Sequence, residues 1–212
     1  MKRLFFTSML CVLFMLHAQS LEASGDISKS RPGDPSLLNS LRQGGYILYV
    51  RHGEATVGED LPSIDFNDCS TQRNLSEAGR RQAEQFGEAL SILQIPVQIP
   101  VIASPFCRAK ETAELAFGEG KARTDSFWVR IYNLSGALPP AEKQAALKEL
   151  ASALETLPSP GTNKVIIAHS FPQGVGLGEI PSLGTVIVKP RGQGNGFEVI
   201  GRLTLDELLN LR

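Results

Sequence analysis

The amino-acid sequence predicts a single α/β domain of three layers, in which helices cover both faces of a mostly parallel central sheet. Short apolar runs of β-favouring residues, typical of strands buried on both faces, alternate along the chain with segments of helical periodicity. In addition, 42% of the 212 residues are hydrophobic and 20% are charged, which indicates a globular chain with a substantial core.

The first 24 residues are predicted to be a signal peptide that is removed from the mature protein. Lys2 and Arg3 precede an apolar run from Leu4 to Leu16, and the polar segment after the run offers small residues for cleavage. This run of 13 residues is shorter than the roughly 18 that a membrane-spanning helix needs, so a permanent anchor is the less favoured alternative. We therefore expect a periplasmic or secreted protein, with no stable membrane insertion of the mature chain.

The folded domain is expected to occupy residues 34–212, after a flexible linker over residues 25–33. The linker contains Ser, Asp, Lys, Pro and Gly without periodicity. The first element of the domain is a short helix that begins after Asp34 and ends at Gly44-Gly45. The apolar run from Tyr46 to Val50 predicts the first buried strand.

The middle of the chain repeats this alternation. Apolar residues at helical spacing from Gly79 to Leu93 predict a second helix, and Pro100 to Ala103 predicts the second strand. The next helix is expected to take Ser104 as its N-cap and Pro105 as its first residue, and to end at Gly118.

The remaining elements follow the same pattern until the chain turns antiparallel. A helix is predicted around Leu147 to Leu154, and a third buried strand over Lys164 to Ala168. Thr185 to Lys189 and Phe197 to Leu203 are predicted to pair as a hairpin, followed by a short helix from Leu205 to Leu211.

Three predicted strands end in residues that suit an anionic ligand. The first runs into Arg51-His52-Gly53-Glu54, the second precedes Ser104-Pro105 with Arg108 close behind, and the third runs into His169. Ligands of open α/β sheets bind beyond the carboxyl ends of the parallel strands, so these side chains are expected to converge. Two guanidiniums and two imidazoles suit a phosphoryl group, and the implied ligand is a phosphate ester.

Four ordered motifs carry a resemblance to a known family. They are Arg51-His52-Gly53-Glu54; Asn74-Leu75-Ser76 with Gly79 and Gln82-Ala83; Ser104-Pro105 with Arg108 and Thr112-Ala113; and the late His169. With them the chain resembles the histidine phosphatase superfamily, in its phosphoglycerate-mutase-like branch. The signal peptide and the stretch from Asp68-Cys69 to Ser76 are further similar to exported bacterial members, some of which resemble envelope heptose-phosphate phosphatases.

This resemblance implies a phosphomonoesterase that works through a phosphohistidine intermediate. It makes His52 the nucleophile, with Arg51, Arg108 and His169 holding the phosphoryl oxygens. Arg73 is a further candidate for substrate binding. The substrate is expected to be a small-molecule or envelope-linked phosphate ester. The alternatives are a phosphomutase and a non-catalytic binder of phosphorylated envelope sugars.

The leaving-group acid is the open question, because the region where many family members carry a glutamate reads Arg130-Ile131-Tyr132-Asn133-Leu134 here. Four carboxylates elsewhere are candidates for this role: Glu54, Asp65, Glu111 and Glu179.

Composition also limits the cofactors and partners. The net charge of −1 and the lack of a basic block argue against a nucleic-acid partner. No metal and no cofactor are expected, because two cysteines outside the signal peptide are too few for a structural zinc site. An even pair of cysteines in an exported chain instead predicts a disulfide between Cys69 and Cys107, both expected near the rim of the site.

Overall fold

A computed structural model describes residues 35–212, which form an α/β domain around one six-stranded sheet. The predicted signal peptide and the linker lie outside the described residues. The strands follow the order β3-β2-β4-β1-β5-β6 across the sheet. Their bounds are β1 Ile47–Arg51, β2 Val101–Ala103, β3 Ala122–Thr124, β4 Lys164–Ala168, β5 Thr185–Pro190 and β6 Phe197–Leu203.

The first four strands along the chain are parallel, and the last two are antiparallel to their neighbours. β4 lies between β1 and β2 and is parallel to both, and β3 pairs with β2 at one edge. β5 returns antiparallel to β1, and β6 pairs with β5 as the predicted hairpin. The predicted class, a mostly parallel sheet in a single domain, is thereby confirmed.

Helices cover both faces of the sheet, because successive side chains of β1 point to opposite faces and those of Ile47 to Val50 are all buried. Leu48 and Val50 of β1 pack on the side that carries the first three helices and the last one, whereas Ile47 and Tyr49 pack on the side of the fourth and fifth. The helices are α1 Pro35–Gln43, α2 Glu77–Ile92, α3 Cys107–Phe117, α4 Phe127–Asn133, α5 Pro140–Glu155 and α6 Leu205–Leu209. Within residues 35–212, no helix is long and apolar enough to cross a bilayer.

The predicted start of α3 is wrong by two residues. Ser104 is not its N-cap and Pro105 is not its first residue, since the helix begins at Cys107 after Phe106. The Ser104 amide continues the sheet by donating to Ile167 O at 2.9 Å, and its hydroxyl is hydrogen-bonded to His169. The serine therefore belongs to the end of β2 and to the site.

Two elements escaped the sequence analysis altogether. β3 is a three-residue edge strand whose Arg123 and Thr124 are exposed, so no buried apolar run marks it. α4 has only seven residues, too few to show a helical period. The terminal helix α6 is also shorter than predicted and ends at Leu209.

Candidate active site

The register of β1 and β4 places the two histidines side by side. Arg51 at the end of β1 lies opposite Ala168 at the end of β4, so His52 and His169 are the next residues on neighbouring parallel strands. The His52 amide donates to Ala168 O at 3.0 Å, which fixes the backbone at this point. The ring centroids of the two histidines are 5.4 Å apart. The strand ends thus converge on one pocket at the carboxyl edge of the sheet.

The hydrogen bonds of His52 define its tautomer. Nδ1 lies 2.7 Å from Gly53 O, and a carbonyl oxygen only accepts, so Nδ1 carries the proton. The lone pair of the neutral ring is then on Nε2, which accepts from Arg108 Nε at 3.2 Å. His52 is thereby held with a nucleophilic nitrogen directed at a guanidinium, and Gly53 O is the acceptor that fixes its tautomer.

The turn after His52 is held by contacts between backbones that only glycine permits. A Cβ on Gly53 would lie 2.6 Å from Gly79 O, at the start of α2. The Gly53 amide donates to Thr112 Oγ1 on α3 at 3.1 Å, and the Glu54 amide donates to Gln82 Oε1 on α2 at 3.0 Å. Gly79, Gln82 and Thr112 of the sequence motifs therefore position the backbone that orients His52.

Arg108 is the second residue of α3 and lies at the centre of the pocket. Its residue exposure is only 2%. Besides donating to His52, its guanidinium stacks over the Phe106 ring at 4.4 Å from the centroid. The remaining donors bind one carboxylate, with Nη1 at 2.8 Å from Asp60 Oδ1 and Nη2 at 3.1 Å from Asp60 Oδ2. This forked arrangement is the one in which arginine also binds phosphate.

Hydrogen bonds hold both the ring and the backbone of His169. Its Nε2 lies 2.9 Å from Ser104 Oγ, and its backbone oxygen accepts from the buried Tyr49 hydroxyl at 2.8 Å. The Phe106 ring packs against the imidazole with centroids 4.7 Å apart. With Nε2 bonded to Ser104, Nδ1 is the ring nitrogen through which His169 could donate to a phosphoryl oxygen.

Arg51 and Arg73 add positive charge around the same pocket. Arg51 is half-buried and donates through Nη1 to Ile180 O at 2.9 Å. Burial lowers its pKa, as do the nearby charges of Arg73 and Arg108, so the three guanidiniums are close enough to repel one another. Arg73 itself donates through Nε to Thr56 O at 2.8 Å. A cluster of positive charges that has too few carboxylates to neutralise it is stabilised by a bound anion.

Burial and the arginines keep both histidines neutral. Burial first, and the charge of Arg108 second, lower the pKa of His52 to about 3. The pKa of His169 is also lowered well below its ordinary value, mainly by burial and then by His52 and Arg108. At neutral pH His52 therefore carries the lone pair that a nucleophile needs.

The predicted disulfide between Cys69 and Cys107 is present and ties the loop after β1 to the first turn of α3. The two Cα atoms are 5.7 Å apart. Gln72 reinforces the same junction, because its Oε1 accepts from the Cys107 amide at 2.9 Å and its Nε2 donates to Asp65 O at 2.8 Å. The disulfide thus stands one residue before Arg108 and braces the pocket.

None of the four candidate acids forms a side-chain hydrogen bond with His52 or His169. Glu54 accepts from the Ser76 hydroxyl at 2.7 Å at the start of α2, and Asp65 is exposed and caps its own turn. Glu111 pairs with Arg80 at 2.6 Å. Glu179 lines a separate cavity next to β5 and β6.

Asp60 is the carboxylate that the structure brings into the pocket and that sequence reasoning missed. Its side chain is 6% exposed. It lies in an irregular stretch that contains several other acids, and no periodicity or motif singles it out. Among residues 35–212 no group of three or more potential ligands could hold a metal ion.

A known protein family matches the part of the chain that contributes several residues of this pocket. The family model of the histidine phosphatase superfamily (branch 1) matches residues 47–126, which contain Arg51, His52 and Arg108. This part of the chain is therefore similar to that superfamily.

The mitochondrial serine/threonine-protein phosphatase Pgam5 of Drosophila ananassae is 31% identical over 118 residues. The match covers 55% of this chain and 35% of that protein, so the chain spans about a third of its relative's length.

Solved structures are similar to this chain at low sequence identity. A phosphoserine phosphatase mutant from Entamoeba histolytica, in complex with phosphoserine, superimposes with a TM-score of 0.50 at 13% identity, over 77% of this chain and 98% of that one. A phosphoglycerate mutase from Bacillus anthracis gives a TM-score of 0.48 at 11% identity, over 81% and 98% of the two chains.

Proposed function

We propose that this chain of the histidine phosphatase superfamily is an exported phosphomonoesterase that hydrolyses a phosphate ester through a phosphohistidine on His52. The observation that carries the proposal is that His52 Nε2 is unprotonated and lies beside a guanidinium. Its lone pair is set by the Nδ1 bond to Gly53 O at 2.7 Å, and Arg108 Nε lies 3.2 Å away to bind a phosphoryl oxygen. A nucleophile held next to a fixed cation is the arrangement that phosphoryl transfer requires.

The pocket supplies the charge stabilisation for such a transfer. Arg108, Arg51 and Arg73 provide positive charge, and His169 can donate from its second nitrogen while Ser104 holds the first. Negative charge on the phosphoryl oxygens grows and shifts during transfer, and donors that are already in place stabilise it without reorganising. The site has no need of a metal ion to supply that charge.

Two features support export. The amino-terminal sequence has the pattern of a signal peptide, and the disulfide between Cys69 and Cys107 suits an oxidising compartment. An envelope-linked or small extracytoplasmic phosphate ester is the substrate class that follows. The amino-terminal residue of the protein recovered from the producing cell tests this part: a start near residue 25 supports export, and an intact Met1 contradicts it.

Turnover is tested with purified protein and a panel of phosphosugars, phospholipids and nucleotides. We expect release of inorganic phosphate from at least one class by the wild type and none by His52→Ala. Tight binding of phosphorylated sugars without phosphate release would instead favour a non-catalytic binder. Transfer of the phosphate to a second hydroxyl of the substrate would favour a mutase.

A further inference from the structure

We propose that Asp60 is a catalytic residue of this site, the carboxyl group that protonates the leaving oxygen and then takes a proton from the attacking water. The inference rests on the proposed phosphatase function. It assigns the acid that the sequence left open and that none of Glu54, Asp65, Glu111 or Glu179 supplies.

The first argument is position. One planar guanidinium links the nucleophile and the carboxylate: Arg108 Nε lies 3.2 Å from His52 Nε2, and its Nη1 and Nη2 lie 2.8 and 3.1 Å from the two Asp60 oxygens. A phosphoryl group bound between His52 and Arg108 therefore has Asp60 as its neighbouring carboxylate. Of the acids within residues 35–212, Asp60 is the one that hydrogen-bonds a residue of this pocket.

The second argument is orientation. Tyr132 of α4 donates its hydroxyl to Asp60 Oδ2 at 2.9 Å, and the Arg73 amide donates to Asp60 Oδ1 at 2.8 Å. With Arg108 these donors come from α3, α4 and the loop after β1, so the carboxylate is held from three directions. A general acid needs such a fixed direction toward the oxygen it protonates.

The third argument concerns the proton. Burial acts to raise the pKa of Asp60, but the hydrogen bonds from Arg108, Arg73 and Tyr132 outweigh it, so without ligand the group is an anion. The charged and titratable groups around it are Arg108, Arg73 and Tyr132. A phosphoryl group on Arg108 shares this cation and brings negative charge beside the carboxylate, which favours the protonated acid. A substrate that binds as its monoanion delivers that proton to Asp60.

The reaction proceeds in two steps, transfer of the phosphoryl group to His52 and then hydrolysis of the phosphohistidine. The His52 Nε2 lone pair forms the N–P bond while the ester P–O bond breaks, and the bond pair leaves on the alcohol oxygen, which takes the proton from Asp60. Water next attacks phosphorus and gives a proton to the Asp60 carboxylate. The P–N bond breaks, and its electron pair returns to Nε2. Inorganic phosphate then leaves with the proton that Asp60 took from the water, which returns Asp60 to its anion.

The test is the dependence of the Asp60→Asn effect on the leaving group. A nitrophenyl phosphate needs little protonation, whereas an alkyl phosphate such as glycerol phosphate needs it fully. For Asp60→Asn we expect kcat/KM to fall about 10²- to 10⁴-fold with the alkyl ester and less than about tenfold with the nitrophenyl ester. Phosphohistidine should also accumulate with the nitrophenyl ester, because water attack lacks its base.

Two control variants show whether the effect is specific to the Asp60 carboxylate. Glu59→Gln removes an exposed acid next in sequence and should leave both substrates unchanged. Tyr132→Phe keeps the carboxylate but removes one orienting donor, so it should show the same preference for the nitrophenyl ester to a smaller degree, and it serves if Asp60→Asn does not fold.

Two outcomes would overturn the assignment. Equal loss with both esters would mean that Asp60 only supports Arg108. Equal or higher activity would mean that it is an anion that competes with phosphate for Arg108. A wild-type protein that hydrolyses neither these esters nor any member of the substrate panel would refute the proposed function itself.

Discussion

Reduction of the disulfide should destabilise the domain by an amount that follows from the length of the loop it closes. Cys69 and Cys107 are 38 residues apart. In the chain-entropy treatment, closing a loop of this size lowers the entropy of the unfolded chain enough to stabilise the fold by about 4 kcal/mol. With a urea slope of about 3 kcal/mol per molar, the unfolding midpoint should fall by roughly 1.3 M on reduction.

The measurement is urea unfolding of the full chain carrying Cys11→Ser, with and without a thiol reductant. Cys69→Ala/Cys107→Ala in the same background is the matched control, since reductant should not shift its midpoint. A thiol count on the denatured, unreduced wild type should find neither Cys69 nor Cys107 reactive. A midpoint that reductant leaves unchanged in the disulfide-containing protein, or an equal shift in the control, would refute the reasoning.

Three further predictions concern the pocket. Burial and Arg108 hold the pKa of His52 at about 3, while the unfolded chain takes up the proton near 6.5, so the unfolded state binds more protons between these values. The free energy of unfolding should therefore fall as pH falls through this window, by on the order of 5 kcal/mol. His52→Asn should remove the His52 share of this pH dependence of urea unfolding and leave the share of His169, whose pKa is also lowered, and an unchanged slope would contradict it. Ser104→Ala leaves His169 Nε2 without its partner and should lower kcat/KM about 10- to 100-fold, whereas the exposed Ser91→Ala should not; equal values for the two would remove Ser104 from the site. Chelation with EDTA should leave activity intact, and loss that one divalent ion restores would show that a metal takes part.

The sequence was most informative where chemistry sits at the ends of buried strands. β1, β2 and β4 are continuous apolar runs, so the residues after them were predictable as neighbours at one edge of the sheet. This is why the convergence of His52, Arg108 and His169 could be predicted before the structure.

Features that depend on tertiary contact were beyond the sequence. Asp60 is distinguished from the other acids of its loop only by its bonds to Arg108, Arg73 and Tyr132, which come from distant segments. Ser104 has the residue type of a helix cap, but its bond to His169 on a neighbouring strand outweighs that local preference.

Phosphorylation of His52 is the most direct test of the whole account. Wild-type protein mixed with a substrate carrying labelled phosphate should acquire acid-labile, base-stable label within seconds, located on His52 by mass spectrometry. His52→Ala should acquire none and turn over no substrate, while Arg108→Ala and His169→Ala should react about 10²- to 10³-fold more slowly but still be labelled. Label on His169 that persists in His52→Ala would reverse the roles of the two histidines, and turnover without any labelled histidine would contradict the phosphohistidine mechanism.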